Sequence, residues 1–102
     1  MNMNMLMQQA QKMQRELERK KKELENTLFS FESSGGAVKL DIYGSKKVEK
    51  ITLDEDIIDP NDKDMLEDMM KIAINEALEK IDEEMEKAVS SATGGMNIPG
   101  LF

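Results

Sequence analysis

The sequence contains no cysteine, no histidine and no tryptophan, and only two prolines, three phenylalanines and one tyrosine. Without cysteine there are no disulfides and no thiolate metal or redox centres. Without histidine the commonest general base and the commonest metal ligand are both missing, which disfavours catalytic triads and zinc sites. No stretch approaches the roughly 20 apolar residues that span a bilayer. Met1 to Met7 is rich in Met and Asn but has neither a basic start nor a long apolar run. It does not read as a signal peptide, and a cytoplasmic protein with no membrane association is expected.

What is present is charge. Of 102 residues, 34% are charged and 39% hydrophobic, the balance of a folded chain and not of a disordered one. Such a length supports one small domain whose modest core is often completed by a second subunit. Acidic side chains outnumber basic ones by 21 to 14, a formal charge of −7 that by itself argues against a polyanionic partner. The charge is divided, however: residues 1–52 sum to +3 and residues 53–102 to −10.

Hydrophobic spacing predicts a first helix from about Met5 to Glu25. Leu6, Ala10, Met13, Leu17 and Leu24 form a heptad-like seam with Lys20 at the missing position. At 1.5 Å per residue the helix is roughly 30 Å long, more than a domain this small can easily cover, so the seam is expected to meet another helix in a coiled-coil-like subunit contact. Three strands follow: Thr27 to Ser33, then Val38, Leu40 and Ile42 alternating with polar residues, then Ile51 and Leu53 alternating with Lys50 and Thr52. Ser34-Gly35-Gly36 and Gly44-Ser45 supply the turns. Asp59-Pro60 is expected to open a second helix that runs to about Val89. Leu66, Met70, Ala73, Ala77, Ile81 and Ala88 line its main stripe, with Met70 and Met85 as core filling. A shorter stripe of Met65, Met69 and Ile72 points elsewhere and is expected at a subunit contact. Residues 1–89 thus form one domain, and 90–102 a flexible tail with Met96, Ile98, Leu101 and Phe102 as apolar anchors.

Several chemistries fail on spacing. The acidic run Asp54, Glu55, Asp56, Asp59, Asp62 and Asp64 has no register with the alternating ligands and central glycine of a calcium loop. The second helix's carboxylates lack the histidines of a di-iron bundle. Ser34-Gly35-Gly36 is too short for a phosphate loop. Phe29, Phe31 and Tyr43 form no interleaved stacking platform. Enzyme is the least supported class, and no cofactor is expected.

The basic positions are more informative. At 100° per residue, Lys12, Arg15, Arg19 and Lys22 fall within about 80° of one another, nearly opposite the apolar seam. A packed apolar edge with an outward cationic edge suits phosphate contact, and Lys20 and Lys21 widen it. A solvated helix laced by Glu16–Lys20 and Glu18–Lys22 pairs accounts for the same residues. Lys46, Lys47 and Lys50 around the second turn either reach a DNA backbone or protect a strand edge from unwanted pairing.

QAQKMQ at Gln9 to Gln14, the glycine-punctuated strands from Ser34 to Leu53, DKDMLEDM at Asp62 to Met69, Asn75-Glu76-Ala77, and the tail Gly95-Met96-Asn97-Ile98-Pro99-Gly100 follow one another in a recognisable order. Together they resemble the YbaB/EbfC nucleoid-associated proteins over nearly the whole chain from Met5 onward. The resemblance implies an α+β fold in α-β-β-β-α order, with a three-stranded antiparallel sheet. It also implies a tweezer-like bacterial homodimer whose helical arms bind double-stranded DNA and affect nucleoid organisation and gene expression. Family genes often adjoin clamp-loader and recombination-repair genes, which supports an alternative: a module recruiting a replication or recombination protein, with DNA binding incidental. This sequence lacks the Gly/Lys-rich N-terminus of many relatives. The choice of Lys12, Arg15, Arg19, Lys20, Lys22, Lys46, Lys47 and Lys50 as DNA contacts rests on the charge pattern. With only two arginines, Arg15 and Arg19, bidentate base reading is scarce and sequence preference should be weak.

Overall fold

The computed structural model describes residues 2–92. Its elements are α1 (Met3–Glu25), β1 (Leu28–Ser33), β2 (Val38–Tyr43), β3 (Val48–Leu53) and α2 (Lys63–Ala92), so the expected α-β-β-β-α order holds. The apolar anchors of the tail, Met96, Ile98, Leu101 and Phe102, lie outside the described residues.

The strands form an antiparallel meander in the order β1-β2-β3. Pairing of Phe29 with Ile42, Phe31 with Leu40 and Ser33 with Val38 puts these side chains on one face. The opposite face is polar: Ser30 Oγ donates to Asp41 Oδ1 (2.7 Å), and Glu32 meets Lys39 across the strands at 3.9 Å. α2 lies against β1 and β2 with Ala73, Ala77 and Ile81 inward. The core is Leu40, Ile42, Ala77 and Ile81, flanked by Phe29, Phe31, Ile74 and Leu78. Alanine at positions 73 and 77 lets the helix backbone approach the sheet closely.

Asp62, and not Asp59, caps α2. The Asp59 carboxylate accepts from the Asn61 amide (2.9 Å) and its carbonyl from the Asp62 amide (3.0 Å), closing a turn around Pro60. Asp62 Oδ1 then accepts from the Met65 amide (3.3 Å), so the helix opens at Lys63, three residues later than Pro60 suggests. At the other end α2 continues through Ser90 to Ala92, past the expected boundary at Val89. Asn2 caps α1 by accepting from the Met5 amide at 2.8 Å.

α2 also supplies the helix that the α1 seam was expected to find in another subunit. Leu17 is 5% exposed and Leu24 half-buried, both within the chain, because the C-terminal end of α2 runs back alongside α1. Lys20 Nζ donates to Ser91 Oγ (2.6 Å) across this contact. Every residue from Asn2 to Lys12 is exposed, including Leu6, while Met13 is half-buried. The molecule is accordingly long, 70 × 21 × 17 Å, with a radius of gyration of 19.1 Å. A compact chain of this length has a radius of about 13 Å. The N-terminal half of α1 projects as an arm.

Candidate nucleic-acid interface

Lys12, Arg15, Arg19 and Lys22 stand on the side opposite Leu17, held there because the seam is anchored on α2, whereas Lys20 and Lys21 fall nearer the seam and are half-buried. The outward cations are not equivalent. Arg19 is held by two carboxylates, its Nη1 donating to Glu23 Oε1 (2.7 Å) and its Nη2 to Glu16 Oε2 (2.9 Å). The hydrogen bond to Arg19, and then its charge, hold the Glu16 carboxyl below its ordinary range, and the same pairing raises Arg19. The Glu16–Lys20 pair expected from spacing does not form, because the Arg19 fork reaches carboxylates one turn away on both sides. Lys20 is turned toward α2 and Ser91 and is half-buried.

Lys12, Arg15 and Lys22 are exposed and have no ion pair or side-chain hydrogen bond among the described residues. They span eleven residues of α1, about 15 Å along its axis. The free cationic edge of α1 is therefore Lys12 at the base of the arm and Arg15 and Lys22 on the segment packed against α2, with Arg19 between them neutralised by Glu16 and Glu23.

The second basic group sits at the β2–β3 turn. Tyr43 and Lys47 bracket it with a backbone bond of 2.9 Å, and Lys46 adopts a left-handed backbone (φ 73°). Lys46 Nζ lies 3.1 Å from Asp82 Oδ1 of α2, so this lysine ties the turn to the helix. Lys47 and Lys50 are exposed and unpaired among the described residues. Lys50 shares with Asp41 and Ser30 the polar face of the sheet, away from α2. The turn is docked beside α1: the Gly44 amide donates to Thr27 O (3.0 Å) and the Ser45 amide to Glu25 O (3.2 Å). The turn lysines thus sit beside the C-terminal end of α1, at the α1–β1 corner.

Sequence spacing marked the apolar face of β3 but not that it stays uncovered. Register places Val48, Ile51 and Leu53 on the same face as Ile42, Leu40 and Val38, yet Val48 and Ile51 are exposed, because α2 lies over β1 and β2. The alternation of Ile51 and Leu53 with Lys50 and Thr52 was its signal, but alternation gives the face and not what covers it. Among the expected contact residues, Met65 and Ile72 are exposed and Met69 is half-buried.

The YbaB/EbfC DNA-binding family model matches residues 1–96. A nucleoid-associated protein of Clostridium acetobutylicum is 44% identical over 100 residues, covering 98% of this chain and 89% of that one. One from Agathobacter rectalis is 46% identical over 101 residues, covering 99% and 88%, and one from Rickettsia felis is 38% identical, covering 99% and 94%. An uncharacterised protein of Helicobacter pylori, at 18% identity, has the same fold with a TM-score of 0.73 over 92% of this chain and 99% of its own. With a family match and close relatives both running nearly end to end, the chain belongs to the YbaB/EbfC DNA-binding family.

Proposed function

We propose that this chain acts as a dimer that grips double-stranded DNA through phosphate contacts with little sequence preference. The observation that carries the reading is the free edge of Lys12, Arg15 and Lys22 along α1, opposite the side that Leu17 and Leu24 anchor on α2 and continuing into the projecting arm at Lys12. Three cations about one to two turns apart on a straight rod can follow a phosphate backbone, and Lys47 and Lys50 extend the contact from the body. Lysine gives point charges and not the planar fork that reads base edges, and of the two arginines Arg19 is already engaged. The acidic α2 works against any broad electrostatic attraction, so binding depends on orientation of the arm toward the duplex. The protein would act in the bacterial cytoplasm at the nucleoid, as a non-enzymatic component that affects nucleoid organisation and gene expression.

Dimerisation belongs to the same proposal. An isolated helical stretch as short as Met3 to Lys12 is marginal in water. Its exposed Met3 and Leu6, together with Ile51, Met65 and Ile72, give a second copy apolar surface to cover.

A salt titration of binding to random-sequence duplex tests the mechanism. Neutralising about four to six phosphates gives a slope of log affinity against log salt of roughly −4 to −5. A slope near zero sinks the phosphate mechanism. Recovery of one stoichiometric protein after nuclease treatment, with no duplex shift at physiological salt, would instead favour recruitment of a replication or recombination factor.

A further inference from the structure

α2 does not seal the end of the sheet where β1 meets β2. A cleft of about 170 Å³ remains there, floored by Phe31, Val38, Leu40, Ala73 and Ala77. Its rim is acidic on the α2 side, where Glu76, Glu79 and Glu83 stand, with Lys80 as the only cation among the lining residues; Glu32 borders it from β1 while its carboxylate faces Lys39 on the other side of the sheet. Lys80 lies 3.6 Å from Glu83 and Glu32 is paired with Lys39, which leaves Glu76 and Glu79 without an ion pair among the described residues. Ser33 also lines the cleft. It is 8% exposed, sits on the face toward α2 opposite Val38, and its hydroxyl has no hydrogen-bond partner among the described residues.

We propose that this cleft binds a short aliphatic polyamine, its methylenes on the apolar floor, one ammonium at Ser33 and the other at Glu76 and Glu79. The volume admits a small ligand. One water needs about 10–15 Å³ of such space, so the cleft has room for a short alkyl chain carrying an ammonium at each end. The floor decides the class: a divalent metal ion keeps its water and needs oxygen ligands that methyl and phenyl groups do not supply. An alkylammonium instead satisfies both halves of the site, since its stem is apolar and its N–H groups donate to carboxylates and to a hydroxyl. The partly buried hydroxyl acts as an acceptor held in place by the β1–β2 pairing. The site shares no residue with the cations proposed for DNA, and its test contains no DNA.

The intact protein is titrated with putrescine while amide resonances are followed. n-Butylamine and magnesium chloride at matched ionic strength serve as comparisons. Saturable shifts centred on Phe31, Ser33, Ala73 and Ala77 are expected, with butylamine and magnesium both weaker. Replacing two charged acceptors should cost at least about tenfold in affinity, so Glu76→Gln with Glu79→Gln is the decisive variant. Both side chains are exposed, so that variant keeps the fold. Ser33→Leu, which fills the cleft, should abolish the response. Shifts spread over Asp64, Glu67 and Asp68, an equal response to magnesium, or undiminished binding by the double variant would each overturn the proposal. So would binding of a lysine-bearing peptide in the absence of any putrescine response, which would give the cleft to a protein partner.

Discussion

Gly44 occupies a position where a single methyl group has nowhere to go. A Cβ built there collides with the Leu24 carbonyl oxygen and carbon, which are backbone atoms at the end of α1 and cannot swing aside. The contact is close because the turn is bonded to Thr27 and Glu25. Gly44→Ala should destabilise the protein by roughly 1–3 kcal/mol, the usual cost of overpacking, read as a lower denaturant midpoint at unchanged slope. Among the cations the decisive difference is pairing. Arg15→Glu should weaken binding to all duplex sequences and reduce the salt slope by about 1, as loss of a phosphate contact does. Arg19→Glu should affect affinity less, because Arg19 already carries Glu16 and Glu23. Equal effects of the two reversals on the salt slope would show that Arg19 leaves its carboxylates on binding. The cationic stripe was legible from 100° spacing alone. Which members were free was not, since Glu16 and Glu23 could each pair in either direction along the helix, and the choice fell to the guanidinium fork.

The two helices differ in what stabilises them. α2 is held along its middle by the sheet through Ala73, Ala77 and Ile81. α1 has one deeply buried side chain, Leu17, supported by half-buried Met13 and Leu24 and the Lys20–Ser91 bond. Leu17→Ala should therefore cost about 2–5 kcal/mol and act unevenly. Amide exchange is expected to accelerate along α1 while the β2 amides retain most of their relative protection. Uniform acceleration of both elements would mean that α1 and the sheet open as one unit. At this scale the sequence was a good guide to element type and order, because periods of two and of 3.6 are local. It was a poorer guide to the start of α2. Asp59-Pro60 and Asp62 both carry capping chemistry, and only the turn closed by Asp59 decides between them.

Over the whole molecule, the length of 70 Å and the uncovered apolar side chains belong together. A monomer of 102 residues that leaves Leu6, Val48, Ile51, Met65 and Ile72 in water has not finished burying its hydrophobic surface. Sedimentation at micromolar concentration should give twice the 11.6 kDa chain mass. Ile51→Lys with Ile72→Glu should shift the protein toward monomer while preserving its helix content. A monomeric wild type would remove the dimer from the proposal, and a dimer indifferent to the two substitutions would move the interface to the α1 arm.

The formal charge of −7 looks unfavourable for a DNA-binding family until it is placed on the structure. Its division into a basic first half and an acidic second half, the α-β-β-β-α order, the cationic stripe and the absence of histidine and cysteine chemistry were all determined by the sequence. Each depends on composition or on neighbours within a turn or two. The tertiary structure decided the rest. Packing of α2 along α1 took Leu17, Leu24 and Lys20 into the chain and left Leu6 outside, and seating α2 on β1 and β2 uncovered β3. Those outcomes depend on where one long helix lies across a three-stranded sheet. A periodic pattern announces that a face will be buried, but its partner is chosen by residues up to 71 positions away, as Lys20 and Ser91 are.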